Sequence, residues 1–199
     1  MTDNATTTDP MLRAPHTGEE IRTAFASVHG KSVRFWNAFN TPAFLAPIGE
    51  AWSPADNVRH LTKTMRAVTL GLALPRLLLL FDVFRTMRAS RSYDDVRTAY
   101  LERLSAGATA GPFTPKARPT PTDPEAERAQ IMQYHAVAIE SLCWRLARWP
   151  ESALDRRTLP HPLLGALTVR EMLLFVLYHN QHHVETVRKR LAALAPTTS

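Results

Sequence analysis

Five stretches of this 199-residue chain carry the chemistry of a helix N-terminus, each just ahead of apolar residues at helical spacing. The first turn of a helix leaves backbone N–H groups without intrahelical acceptors. A hydroxyl or carboxylate just before it, or a proline just inside it, therefore marks a start. Thr17-Gly18-Glu19-Glu20 reads as a capping box and opens a helix over about 18–39, with Ile21, Phe25, Val28, Phe35, Trp36 and Phe39 at broadly helical spacing. Thr41-Pro42 stops it, and residues 43–52 read as a loop. Ser53-Pro54-Ala55-Asp56 opens a second helix with the stripe Val58, Leu61, Met65 and Val68. It is expected to reach about Phe84 with a kink near Pro75, whose ring removes a backbone bond. Ser92-Tyr93-Asp94-Asp95 starts a shorter helix with Val96, Tyr100, Leu101 and Leu104. Thr122-Asp123-Pro124-Glu125 opens a third long helix, to about Trp149, with Ile131, Tyr134, His135, Ala138, Leu142 and Leu146 near one face. After a linker over 150–167, the capping box Thr168-Val169-Arg170-Glu171 opens a fourth, over about 169–194.

These starts predict an all-α fold. The connection between the second and third long helices is about forty residues and the others are short, which suits a four-helix bundle, up-down-down-up, with one long crossover. The 7 glycines and the lack of alternating Val/Ile/Thr runs speak against a sheet protein. A polar, aperiodic stretch makes residues 1–16 a flexible tail, and 17–196 read as a single domain. Within the crossover, residues 107–121 are rich in Gly, Pro, Thr and Ala, a long loop of the kind that borders sites.

Composition narrows the function classes. One cysteine, Cys143, permits no internal disulfide and no cysteine-based zinc site, and within an apolar-patterned helix it reads as inert. The net charge of +6 would suit an anionic partner, but the arginines are scattered from Arg13 to Arg190 and the dense clusters lack interleaved aromatics, so nucleic acid is not expected. The N-terminus lacks a basic flank and apolar run, and the most apolar segment, 67–84, is interrupted by Pro75 and Arg76. A cytoplasmic protein with a small-molecule substrate and no membrane partner is expected; an exposed apolar helix face would suit a homodimer.

The last helix carries L-Y-H-N-Q-H-H over 177–183. His179 and His183 lie one turn, about 6 Å, apart on the apolar stripe that also holds Met172, Phe175, Val187 and Leu191. Burying two neutral imidazoles without partners is costly, whereas two at this spacing chelate one divalent ion. His182 points about 100° away and reads as a surface residue. A third ligand is available in His60, in the second turn of the second helix, because facing bundle helices lie about 8–10 Å apart. Three imidazoles leave a metal with open positions and favour Zn²⁺ or Ni²⁺ over Mg²⁺ or Ca²⁺. His135 is a further candidate ligand or acid/base group. Glu140 and Glu185 are candidate partners for a ligand ring nitrogen. His161 reads as part of the turn before the last helix, and Trp52 as packing over the start of the second.

Two segments carry a resemblance. W-S-P-A-D-N-V-R-H-L (52–61) is similar to the segment that supplies the first histidine in the DinB-like (DinB/YfiT-like) superfamily of proposed metalloenzymes. H-P-L-L-G-A-L-T-V-R-E-M-L-L-F-V-L-Y-H-N-Q-H-H (161–183) resembles that superfamily's second signature, a proline-glycine turn leading into the last helix and its H-x-x-x-H pair. The resemblance spans about 17–194. It implies a divalent metal on His60, His179 and His183, and activities that include thiol-dependent transfer, with a low-molecular-weight thiol as cosubstrate, or hydrolysis. The alternative is a non-catalytic metal-binding bundle acting in stress or interaction. One departure is Thr186, where the superfamily often has glutamine.

Overall fold

The computed structural model describes residues 14–74 and 86–195. The expected continuation of the second helix to Phe84, its kink at Pro75, and most of the N-terminal tail lie outside the described residues. Among the described residues, nine α-helices and strands follow one another: α1 (Gly18–Asn37), α2 (Thr41–Leu45), α3 (Pro54–Ala73), α4 (Tyr93–Ser105), α5 (Pro124–Leu146), α6 (Glu151–Leu154), β1 (Thr158–His161), β2 (Gly165–Thr168) and α7 (Val169–Leu194). A 3-10 turn at Gly111–Phe113 sits in the crossover.

Each expected start is realised by its cap. The Thr17, Ser92 and Thr168 hydroxyls accept from the backbone of Glu20, Asp95 and Glu171, and those carboxylates reach back to complete the box. Ser53 and Asp123 cap α3 and α5 through their side-chain oxygens, each followed by proline. A lost cap of this kind costs about 1 kcal/mol.

Contacts at the helix ends fix the directions. Gly18 N–H donates to Glu151, just past α5, and Arg128 at the start of α5 donates to Asn37 O at the end of α1. These two helices are antiparallel. Arg59 pairs with Glu127 near the starts of α3 and α5, and the Trp149 indole donates to Leu72 O near their ends, so they run parallel. Arg170 donates to His16 O at the start of α1, and Arg188 lies over the Phe35 ring near its end, so α7 runs with α1. The result is the up-down-down-up bundle of α1, α3, α5 and α7, with α4 carried in the crossover and packed on α7.

The core joins Ile21, Trp36, Leu61, Met65, Leu142, Leu173 and Leu177, all essentially inaccessible. Each aliphatic side chain so buried contributes about 1.5–3 kcal/mol relative to exposure. Every residue of α7 from Val169 to Asn180 is buried. This helix is the bundle's centre, flanked by α1, α3, α4 and the hairpin, and not a one-faced amphipathic element. At its far end Leu191 is 39% exposed, and on α5 Tyr134 is 53% exposed, so neither belongs to the core stripe expected for it.

Two segments expected as loops are structured. The Asn40 side chain accepts from Ala43 N and Pro42 follows, so the residues read as a stop are themselves a helix start, that of α2. The expected linker over 150–167 contains α6 and an antiparallel hairpin in which Thr158 pairs with Thr168 and His161 with Gly165. Its apolar residues, Leu159 and Leu167, are too few for a strand signal in the sequence, yet both are buried. Gly165 turns the hairpin at φ 72°, and Gly71 admits it to α3: a Cβ there would lie 3.1 Å from the Leu159 side chain. No described helix is long and apolar enough to cross a membrane.

Candidate metal centre

Three elements bring the histidines together. Ser53 starts α3 so that His60 faces inward about two turns later. α7, buried on all sides, carries His179 and His183 on the turn that faces it. All three are buried, and a ligand atom from each lies within 4.8 Å of the others. His179 Nε2 is 3.1 Å from His60 Nε2 and 3.1 Å from His183 Nε2.

The ring tautomers follow from the other nitrogens. His60 Nδ1 lies 2.9 Å from Phe113 O, a group that can only accept, so His60 carries its proton on Nδ1. His183 Nδ1 lies 2.7 Å from Asn57 Oδ1. The amide is fixed in that orientation because its Nδ2 donates to Ser53 O at 2.9 Å. His183 is therefore also protonated on Nδ1, and both Nε2 atoms present lone pairs. The His179 ring offers its Nε2 to both, while its Nδ1 has no hydrogen-bond partner. At most one N–H can stand between these nitrogens, so the cluster is short of hydrogen. A cation is the charge that such a set of converging lone pairs accepts.

The spacing passes the same test. At Zn–N distances of about 2.0–2.1 Å, ligand nitrogens lie about 2.8–3.0 Å apart at octahedral cis positions and about 3.3–3.4 Å apart in a tetrahedron, and 3.1 Å falls between the two. Burial also keeps the rings neutral. It lowers the pKa of His60, and it holds those of His179 and His183 well below the ordinary value, helped by the neighbouring imidazoles.

A cavity of about 1130 Å³ opens beside the cluster. Trp52 forms part of its wall, its ring stacked at 10° on His183 with centroids 6.2 Å apart. From its place beside the start of α3, Trp52 thus also covers the histidine cluster, its ring centroid 5.2 Å from that of His60. His182, expected at the surface, is half-buried and lines the same cavity with Tyr100 and Thr186. His161 keeps its turn role, its Nδ1 accepting from Leu163 and Leu164 N–H, but it too lines the cavity.

His135 is fully buried on α5, but it stands apart from the cluster. It meets Thr62 Oγ1 at 3.1 Å, and the His29 ring 6.0 Å away. Glu140 and Glu185 hold none of the three rings; the partners are Asn57 and the Phe113 carbonyl. Asn57 lies three residues before His60 in the segment already singled out, so helical spacing could have found it. The carbonyl comes from the Gly/Pro-rich crossover and has no side-chain signature. Cys143 is half-buried, and burial raises its thiol pKa, in keeping with an inert residue.

A four-helix bundle with a buried three-histidine cluster beside a cavity is the class defined by this fold and site. The sequence profile described as the DinB superfamily matches residues 24–187, and the chain belongs to that superfamily. Among solved structures, the crystal structure of TT2238, a four-helix bundle protein, is similar at a TM-score of 0.51 and 14% identity, over 87% of this chain and 99% of that one. That likeness concerns the fold alone. No curated protein matches the chain.

Proposed function

We propose that this protein binds one divalent metal ion through the Nε2 atoms of His60, His179 and His183, and that it is a metal-dependent enzyme acting on a small molecule. The observation that carries the reading is the convergence of those nitrogens while two of the rings have Nδ1 tied to Asn57 and Phe113 O. Partners on the far ring nitrogen fix the tautomer and orient the ligand. Imidazole ligands suit Zn²⁺ or Ni²⁺. Bound there, such an ion supplies Lewis acidity toward water or a thiol. The chain's own residues supply the rest. Trp52 covers His60 and His183, the Phe113 carbonyl holds the His60 ring, and Tyr100 and His182 place polar groups on the cavity wall. The reaction is a thiol-dependent transfer, with a low-molecular-weight thiol as cosubstrate, or a hydrolysis. The adjoining cavity favours catalysis over a purely structural or interaction role, since a structural metal needs no room beside it.

Metal content of untagged protein, wild type beside His60→Ala and His183→Ala, tests the assignment. About one Zn or Ni per chain, lost in both variants, is the expected result. No stoichiometric metal after reconstitution would overturn it. A screen of thiols with electrophilic substrates, repeated with His179→Ala, then tests turnover, which should vanish with the metal.

A further inference from the structure

The cavity follows α7 from Met172 to Leu194. The histidine cluster, with Tyr100 and His182, lies near the middle of that run, and an apolar arm extends from it past Val68, Leu159, Leu163, Met172 and Phe175. Two ionic side chains, Glu50 and Arg190, line it among the described residues, and both residues are exposed. Such a lining rejects a polyanion such as a nucleotide or sugar phosphate, which needs several charge partners. Gly71 also contributes to the apolar arm. Along α3, Val68 and Gly71 lie about 12–16 Å beyond His60 at the helical rise of about 1.5 Å per residue. That length matches a linear chain of about eleven to fourteen carbons, at about 1.2 Å per bond of extended chain.

One polar ring interrupts the arm. Because His161 Nδ1 accepts two backbone N–H groups at 3.1 Å, the neutral ring carries its proton on Nε2. Burial lowers its pKa to about 4, so neutral is the form at pH 7. His161 packs edge-on against Phe175 at 4.3 Å, and Phe175 stacks on His179 at 5.0 Å. A single aromatic ring therefore separates this N–H donor from the cluster.

We propose that the substrate is a small amphiphile: a hydrocarbon tail of about eleven to fourteen carbons fills the apolar arm, and an oxygen-bearing head lies at the histidine cluster, alongside the Phe175 ring and within reach of His161 Nε2–H. The head position rests on the metal reading above; the tail position stands on the cavity alone.

Linear carboxylic acids from about four to about eighteen carbons, titrated calorimetrically into the full chain in metal-loaded and chelator-stripped forms, separate the two. Affinity is expected to rise about three- to fourfold per methylene, the increment of burying one such group, and to level off near about eleven to fourteen carbons. Metal loading should tighten binding at every length. A length dependence that is the same with and without metal would support the tail site and count against the metal reading. No length dependence in either form would overturn the proposal. Leu163→Trp, in the half-buried hairpin turn, should shorten the length at which affinity levels off and leave the shortest acids unaffected. His161→Phe should lower affinity about tenfold at every length while keeping the slope, as expected for one lost hydrogen bond to a charged group. A thermal melt of each variant separates these effects from unfolding. An unchanged levelling point in Leu163→Trp, or unchanged affinity in a folded His161→Phe, would remove the tail or the head contact respectively.

Discussion

Asn57 is the residue through which the metal reading can be tested without touching a ligand. Its Oδ1 accepts from His183 Nδ1 at 2.7 Å, and its Nδ2 is committed to Ser53 O. Asn57→Ala removes the acceptor while leaving Ser53, Asp56 and the cap of α3 in place. His183 is buried, so its Nδ1–H then has no partner, or the proton moves to Nε2, where it blocks the lone pair aimed at the cluster. Partners of this kind are worth about 10–100-fold in metal affinity. That factor corresponds to about 1.4–2.7 kcal/mol. It agrees with the cost of about 1–3 kcal/mol for stranding one buried donor. The assay is competition against a chelator of known affinity, on untagged wild type and Asn57→Ala, with a thermal melt of both metal-free forms. The expected result is a metal affinity lower by one to two decades, with a folded apo protein. Equal affinities in two folded proteins would refute the claim that Asn57 fixes the His183 tautomer, and with it the chemical basis for reading these nitrogens as ligands.

Three further outcomes follow from groups away from the cluster. Burial raises the Glu171 carboxyl pKa, but hydrogen bonds from Arg88, Arg91 and Thr168 outweigh it and hold the pKa at about 2. The stability it contributes, at most about 3 kcal/mol, is present above the unfolded value near 4.5 and is lost as pH falls toward 2. Urea unfolding of Glu171→Gln should show a smaller decline over that window than wild type. His135 is the opposite case, a buried ring whose pKa is lowered to about 3, chiefly by burial. The unfolded chain binds its proton first, so stability falls as pH drops from 6.5 toward 3, by about 5 kcal/mol at most. His135→Phe should flatten that limb, and an unchanged slope would show that the ring does not titrate on unfolding as described. Gly165→Ala, at φ 72°, should destabilise by about 1–2 kcal/mol in the same assay, because a Cβ strains the left-handed conformation.

The sequence and the structure agree where a physical rule acts within one element, and part where it acts between elements. Each long helix is marked by its own cap, so Thr17, Ser53, Asp123 and Thr168 announce α1, α3, α5 and α7 before any packing is known. His179 and His183 are adjacent because a helix turns every 3.6 residues. His60 required a second step, the placement of two helices face to face, and the signal there was its segment. The misses share the opposite character. The hairpin of β1 and β2 is legible only after Leu159 has been set against Gly71 on α3, since two short strands have little stability of their own. His182 reads as a surface residue from its angle on the helix, because that angle assumes a helix with one buried face. α7 has neighbours all round, so the same angle points into the cavity instead. Phe113 contributes a carbonyl, a group that every residue owns, so no residue type could mark it. The ligands of such a centre are therefore read from side-chain spacing, whereas the groups that fix their protonation depend on where a long crossover comes to rest.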